Sequence, residues 1–306
     1  MTQYIFHHYD TSPFSEKVRL AFGLKRLSWQ SVIIPNMNPK PDLVPLTGGY
    51  RRTPVMQIGA DIYCDTQIIL DEIERRDPTP SLFPNGEVSS ARAMALYADR
   101  IWFQASVAVI FGELGDMVPE DFKKDREQLS GRPFNTDAMK AAAPMMAEQF
   151  RAHLMLVNDQ LADGRDWLLG DAMSASDIHA YMNYWFVAGA TPHKLSWLED
   201  TSPVAKWVER VKATGHGTRT ELDSKDALAI ANGAVSETEA GIVGEEASGL
   251  AVGDKVTVMA DDYGQDPIAG EVLRLEPHRI AIKRHDPAVG DVVVHFPRIG
   301  FVVVRR

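Results

Sequence analysis

Near the amino terminus, the apolar positions alternate between the spacing of strands and the spacing of helices. Residues 3–8 predict a strand, and apolar residues recur at helical steps from Pro13 to Leu24. Ser12 is placed to cap this helix, and Pro13 stands at its first position, where the missing N–H costs nothing. Further strands are predicted at residues 29–34, 54–58 and 62–64, and a helix at residues 66–75. This order is typical of an α/β unit.

Longer helices are predicted beyond a proline-rich connection. Met94, Ala98, Ile101, Ala105 and Val109 form an apolar stripe within a helix of about residues 90–114. Other helices are expected at about residues 137–162, 175–188, 203–214 and 224–232. The polar stretch 115–135 contains two prolines and is predicted to be a partly ordered excursion.

A third region follows a change in composition. Residues 233–248 contain four glutamates, three glycines and no basic residue, which predicts a solvated linker. Short β-rich runs separated by Gly, Asp and Pro turns then fill residues 249–306 and predict a small barrel-like module. Because the module has fewer than 60 residues, we expect it to pack against a neighbouring domain.

Charge and cysteine content narrow the classes of partner and compartment. The 32 basic and 42 acidic residues give a formal net charge of −10, which disfavours nucleic acid and anionic membranes as partners. The single cysteine, Cys64, excludes an internal disulfide and suits the cytoplasm. We see no secretory signal and no apolar window of membrane-spanning length.

The segment from Thr11 to Arg19, directly after the first predicted strand, is the strongest candidate for chemistry. A hydroxyl at a strand-to-helix junction lies beside free backbone N–H groups and the positive end of the helix dipole, which stabilise anions. Ser12 could therefore stabilise a ligand thiolate. The simpler alternative is that Ser12 only caps the helix.

The order of these motifs resembles that of the cytosolic glutathione S-transferase family, in a serine-type version with an omega- or zeta-like amino-terminal motif. The resemblance rests on Ser12-Pro13-Phe14-Ser15, on Thr53-Pro54 before a strand and on Asp65-Thr66 at a helix start. The segment 168–178 also resembles the capping box of that family's helical domain. The resemblance implies a thioredoxin-like glutathione-binding domain over 1–80 and an all-helical domain over 88–232. It does not cover the linker 233–248 or the module 249–306.

By this resemblance, the protein is an enzyme that conjugates glutathione to a small hydrophobic electrophile, or uses it for substitution or isomerisation. Ser12 would hydrogen-bond the glutathione sulfur, and lowering the thiol pKa by one unit needs about 1.4 kcal/mol of preferential binding to the thiolate. Family members of this kind are expected to be homodimers. The alternative is a non-catalytic glutathione- or ligand-binding scaffold of the same fold.

The resemblance also implies where glutathione would bind. Thr53 would precede a cis proline, Pro54, and pair through its main chain with the cysteinyl unit of the tripeptide. Asp65 and Thr66 would receive the ammonium and carboxylate of the γ-glutamyl end. The simpler alternatives are a trans Thr-Pro at a strand start and an ordinary helix cap.

The glycyl carboxylate needs a cation, and Lys40 stands where omega-like members place a lysine. Arg51 and Arg52 are other candidates for the same role. A solvated lysine and surface ion pairs are the alternatives.

The pocket for the electrophile is expected between the first helix and the long helix of the second domain. Its candidate residues are Phe14, Tyr97, Ile101, Trp102 and Phe111, although aromatic residues at helical spacing usually belong to a core. No metal site is expected, because the adjacent His7 and His8 would point to opposite faces of a strand. Cys64 is expected to be buried, and a thiol transferase acting through it is a third hypothesis.

Overall fold

One eleven-stranded sheet runs through the protein and joins its first and last segments. The computed structural model describes residues 2–306. The strands follow the order β11-β7-β8-β9-β10-β4-β3-β1-β2-β5, and β6 pairs with β8 at the side of this path. The strands are β1 (Tyr4–His8), β2 (Ser28–Ile33), β3 (Val55–Ile58), β4 (Asp61–Cys64), β5 (Thr218–Glu221), β6 (Gly241–Ile242), β7 (Lys255–Ala260), β8 (Ile268–Leu275), β9 (Arg279–Asp286), β10 (Gly290–Pro297) and β11 (Phe301–Arg305).

The amino-terminal α/β unit confirms the predicted thioredoxin-like domain. In it β1 pairs parallel with β2 and antiparallel with β3, and β3 pairs antiparallel with β4. Its helices are α1 (Pro13–Leu24), α2 (Val44–Thr47) and α3 (Thr66–Arg76). Helix α1 begins as predicted, because the Ser12 Oγ accepts the Ser15 N–H at 3.1 Å and Pro13 occupies the first turn.

The predicted helical domain is also present. It comprises α4 (Val88–Tyr97), α5 (Phe103–Leu114), α6 (Glu120–Ser130), α7 (Thr136–Gln160), α8 (Ala175–Ala190) and α9 (Pro203–Ala213). A π-helical stretch, Ala98–Trp102, interrupts the single long helix expected over residues 90–114. Ser174 and Asp177 form the capping box of α8, and the Asp177 carboxylate also accepts the Trp207 indole N–H at 2.8 Å, which fastens α8 to α9.

The expectation of a partly ordered excursion at residues 115–135 is wrong. Helix α6 forms there and lies against the amino-terminal unit. The Asp125 carboxylate accepts the Arg51 guanidinium at 2.7 Å and the Asn38 N–H at 3.0 Å. These partners are more than 70 positions away in sequence, so local composition did not reveal them.

The carboxy-terminal β module continues the amino-terminal sheet. Strand β10 pairs parallel with β4, in the register Val293↔Asp61, Val294↔Ile62 and His295↔Tyr63. The five strands of the module pair antiparallel in the order β11-β7-β8-β9-β10. Strand β10 uses its second edge to pair with β4, so it cannot also pair with β11. Within the described residues the module is therefore an open sheet and not a closed barrel. The module therefore packs on a neighbour, as its small size led us to expect.

The linker 233–248 is largely exposed, as expected of a solvated segment, but it is also anchored to the sheet through Asp61. Asp61 is 1% exposed. Its carboxylate accepts hydrogen bonds from the Ser236 hydroxyl (2.7 Å), the Thr238 hydroxyl (2.7 Å), the Glu237 N–H (2.8 Å) and the His295 Nε2 (2.8 Å). Burial alone would raise the pKa of Asp61, but these hydrogen bonds outweigh burial and lower it.

Two elements that join the last third of the chain to the sheet were not fully predicted. Strand β5 adds to the outer edge of β2 in parallel. Helix α10 (Ser224–Gly233) was predicted, but it packs on the sheet, with Ala227, Leu228 and Ala231 in the same core as the β module. Among the described residues, no helix has the length and apolar character needed to cross a membrane.

Replacing Asp61 by Asn should lower the free energy of unfolding by about 2–4 kcal/mol, because four donors lose a buried, charged acceptor. Asp291 is a matched control in the same module: it also bonds a histidine, His285, at 2.9 Å, but its side chain is 56% exposed. Asp291→Asn should cost less than about 1 kcal/mol. Urea denaturation measures the free energy of unfolding of both variants. If the two variants lost the same stability, the buried cluster around Asp61 would not be what holds the module in place.

Candidate functional site

A narrow groove brings together most of the residues predicted to bind glutathione. Thr53 and Pro54 line one side and Asp65 and Thr66 the other, with Phe14 at the start of α1. The peptide bond between Thr53 and Pro54 is cis, as predicted.

Asp65 and Thr66 are held at the first turn of α3. Asp65 adopts a positive φ of 92°, and its carboxylate accepts the Gln67 N–H at 2.8 Å. Burial raises the pKa of Asp65, although the Gln67 N–H and the nearby Arg52 and Lys17 act to lower it. A carboxylate beside the free N–H groups of a helix start offers an acceptor for an ammonium and donors for a carboxylate. An α-amino acid head group carries both.

Ser12 caps α1 and does not line the groove. Its side chain is buried, 1% exposed, and its Oγ is the acceptor that caps α1. The structure therefore shows the capping role, and the role of Ser12 toward a thiolate stays a prediction.

Lys40 is buried behind the Thr53-Pro54 turn, where its ammonium supports the chain itself. Its Nζ donates to the Arg51 carbonyl and to the Thr53 Oγ1, each at 2.9 Å. An ammonium has three N–H donors, so one is left for a ligand. Burial, together with the neighbouring Arg126 and Arg51, lowers the pKa of Lys40 to about 8, against the opposing effect of Asp125.

The two arginines considered for the glycyl carboxylate already hold carboxylates of the same chain. Arg51 bonds Asp125 of α6 at 2.7 Å. Arg52 donates to the Asp262 carboxylate and to the Tyr263 carbonyl, and its guanidinium stacks 3.9 Å from the Tyr263 ring centroid. Both cations are therefore engaged by acceptors that a ligand would have to replace.

The structure adds groove residues that the sequence did not suggest. Asp262, Tyr263, Gly300 and Phe301 reach the groove from the β module. Their sequence, a short Asp-Asp-Tyr-Gly turn and a strand start, is ordinary for a hairpin loop. The β4–β10 pairing brings them close to Thr53, Pro54, Asp65 and Thr66, which are more than 190 positions away in sequence.

An ion pair joins α1 to the wall of the groove. Lys17, on α1, bonds Asp99, which lines the groove from the π-helical stretch. Lys17 is fully buried, and burial raises the pKa of Asp99 while Lys17 acts to lower it. The pair links the amino-terminal unit to the helical domain beside the groove.

Of the aromatic and apolar residues expected to line an electrophile pocket, only Phe14 lies at the groove. Its ring contacts Phe103 edge-on at 5.0 Å. Trp102 is fully buried in the helical core, Tyr97 bonds His153, Phe111 packs on Phe122 and Phe134, and Ile101 is 57% exposed. The face of a helix that packs on α7 cannot also face the groove, which is why the apolar stripe did not identify a pocket.

Cys64 ends β4 in the core and is fully buried. Burial raises the pKa of its thiol well above the ordinary value, so the thiol is protonated at neutral pH. This disfavours a thiol transferase that acts through Cys64.

Family models match two parts of the chain. Residues 6–81 match the glutathione S-transferase amino-terminal domain, and residues 106–219 match a domain of unknown function. The first match contains Ser12, Lys40, Thr53, Pro54, Asp65 and Thr66.

Individual proteins are similar over longer stretches. The crystal structure of a GST-like protein from Pseudomonas syringae is 34% identical, aligns over all of both chains and has a TM-score of 0.83. FtsZ-localized protein A of Caulobacter vibrioides is 27% identical over 177 residues, which are 57% of this chain and 72% of that protein. A glutathione S-transferase from Methylobacterium radiotolerans in complex with glutathione sulfonate shares the fold, at 21% identity and a TM-score of 0.52 over 72% of this chain and 97% of that one.

Lys40 should titrate near pH 8 in the folded protein and near 10.5 in the unfolded chain. Between these values the unfolded state binds the additional proton, so this lysine makes the free energy of unfolding rise with pH in that window. An NMR titration of the lysine side chains should show a resonance with a midpoint near pH 8 that is absent in Lys40→Arg. A spectrum in which every lysine titrates near 10.5 would contradict the buried position of Lys40.

Proposed function

Because this chain belongs to the glutathione S-transferase family, we propose that it binds glutathione by the γ-glutamyl end in the groove between Thr53-Pro54 and α3. We further propose that binding, rather than group transfer, is its function. It would act as a ligand-binding scaffold with the transferase fold.

The arrangement of Asp65 and Thr66 carries this proposal. The partly buried Asp65 carboxylate can accept the α-ammonium of the γ-glutamyl unit. Thr66 offers its hydroxyl and the N–H groups of the first turn of α3 to the α-carboxylate. Thr53 lies across the groove, where the main chain can pair with the next peptide unit.

Two observations favour binding over transfer. The Ser12 side chain is 1% exposed and does not line the groove, so its hydroxyl has no open contact with a sulfur atom bound there. In addition, a relative over more than half of the chain is named for its localisation with FtsZ, which describes an assembly and not a reaction. A scaffold of this kind would respond to a ligand without transforming it.

Glutathione transfer is the second candidate. Phe14 and Leu96 give the groove an apolar side, which a small hydrophobic electrophile could contact beside the sulfur. In that case Ser12 would have to turn toward the ligand and stabilise its thiolate. The homodimer, the cytoplasmic location and the absence of nucleic-acid and membrane partners are further predictions that await their own tests.

Thr66→Val should weaken glutathione binding by about 5- to 20-fold, because one hydroxyl donor to a charged carboxylate is lost while the shape is kept. Isothermal titration calorimetry with reduced glutathione measures the effect. The control is Thr201→Val, at an exposed threonine of the helical domain, which should bind as the wild type does. Equal affinity in Thr66→Val and the wild type would overturn the assignment of the γ-glutamyl position.

Ser12→Ala separates the two candidate functions. If Ser12 only caps α1, the variant loses about 1 kcal/mol of stability and binds glutathione with an unchanged thiol pKa. If transfer is the function, ultraviolet titration of the bound thiolate shows a higher pKa and conjugation of a model electrophile is lost.

Ser202 provides the control for this experiment, because it also precedes a proline and caps a helix, accepting the Ala205 N–H at 3.3 Å. Ser202→Ala should show a similar loss of stability and no change at the thiol. A raised thiol pKa in Ser12→Ala alone would replace the scaffold proposal by the transferase.

A further inference from the structure

The loop that joins β7 and β8, residues 261–267, lines the groove with Asp262 and Tyr263 and makes five contacts with the other domains. Asp262 and the Tyr263 carbonyl accept hydrogen bonds from Arg52, whose guanidinium stacks on the Tyr263 ring. Asp261 bonds Arg100 at 2.7 Å. The Gly264 N–H donates to the Leu129 carbonyl of α6 at 2.6 Å. We call this segment the β7–β8 loop.

The fit at Gly264 shows that the loop is seated closely. A Cβ at this position would lie 2.8 Å from the Leu129 Cδ1 and 3.3 Å from the Arg52 Nε, and the residue has a φ of +55°. Only glycine allows this approach without strain. The loop therefore closes the gap between α6 and the Thr53-Pro54 turn.

The loop also adds negative charge to the groove. The other domains line it with two cations, Arg52 and Arg100, and two carboxylates, Asp65 and Asp99. Asp262 of the loop lines it as a third carboxylate, and Asp261 pairs with Arg100 beside it. The loop therefore makes the groove less favourable to an anion.

We propose that the β7–β8 loop is a built-in competitor for the glutathione groove. In this competition, the Asp262 carboxylate occupies the place on Arg52 that a ligand carboxylate would take. This inference rests on the proposed function. A carboxylate on a guanidinium is the interaction that an anionic peptide would make, so the ligand and Asp262 exclude each other. The ligand class that displaces the loop must therefore carry a carboxylate of its own for Arg52.

The loop can withdraw without dismantling the module. Its acidic side chains lie at the surface, and the Asp262 side chain is 27% exposed. Strands β7 and β8 are held by their own antiparallel pairing, and β7 is further paired with β11. Breaking the contacts with Arg52, Arg100 and Leu129 leaves that pairing intact.

Asp262→Ala should bind reduced glutathione about tenfold more tightly than the wild type, or better, because the binding-competent state no longer competes with an internal carboxylate. The control is Asp291→Ala, an exposed carboxylate of the same module that bonds Lys283 and His285 away from the groove. Calorimetry of the three full-length proteins gives the affinities, and thermal melting checks that each one is folded. Unchanged or weaker glutathione binding in Asp262→Ala would overturn the proposal that the loop competes with the ligand.

Hydrogen exchange of the wild-type protein provides a test that needs no variant. Saturating glutathione should speed exchange in peptides covering residues 261–267, since the Gly264 N–H loses its acceptor on Leu129. Slower or unchanged exchange with the ligand bound would contradict displacement. If glutathione binds the wild type and Asp262→Ala equally, the proposed function stands and the competitor alone fails. If neither protein binds it, both proposals fail.

Discussion

The parallel pairing of β10 with β4 is the interaction on which the rest of this architecture depends. It joins the last strands of the chain to the edge of the amino-terminal sheet. The buried Asp61 carboxylate fixes this junction, because it gathers donors from the linker and from His295 around one charge. A module of this size gains its core from its neighbour, and the pairing determines that its β7–β8 loop reaches the ligand groove.

In the groove, acceptors of the protein itself already bind the cations that a ligand would use. Lys40, Arg51 and Arg52 are the cations nearest the Thr53-Pro54 turn, and each has an acceptor supplied by the protein. Acceptors held on the same chain act at a high effective concentration, commonly in the millimolar range for flexible tethers. A free peptide must bind these cations more favourably than the internal acceptors do in order to displace them. Affinity in such a site depends on the stability of the closed form as much as on contacts with the ligand.

Sequence reasoning succeeded where the determining signals are local, and failed where they are distant. Helix α1 follows from Ser12, Pro13 and an apolar stripe, and the strands of both β regions follow from alternating runs between turns. Helix α6 and the anchored linker depend on Asp125 meeting Arg51 and on Asp61 meeting Ser236, and no local pattern records such pairs. The site divides in the same way. Thr53, Asp65 and Thr66 share a groove because the α/β topology brings them together, while Asp262 is brought there by the distant β4–β10 pairing.

The most direct test of this account is a crystal structure of the full-length wild-type protein, from crystals grown with saturating glutathione. The account predicts the γ-glutamyl ammonium on Asp65, its carboxylate at Thr66, and Arg52 turned from Asp262 to a ligand carboxylate with the β7–β8 loop displaced. Glutathione bound elsewhere, or bound in the groove while Asp262 still holds Arg52, would contradict it.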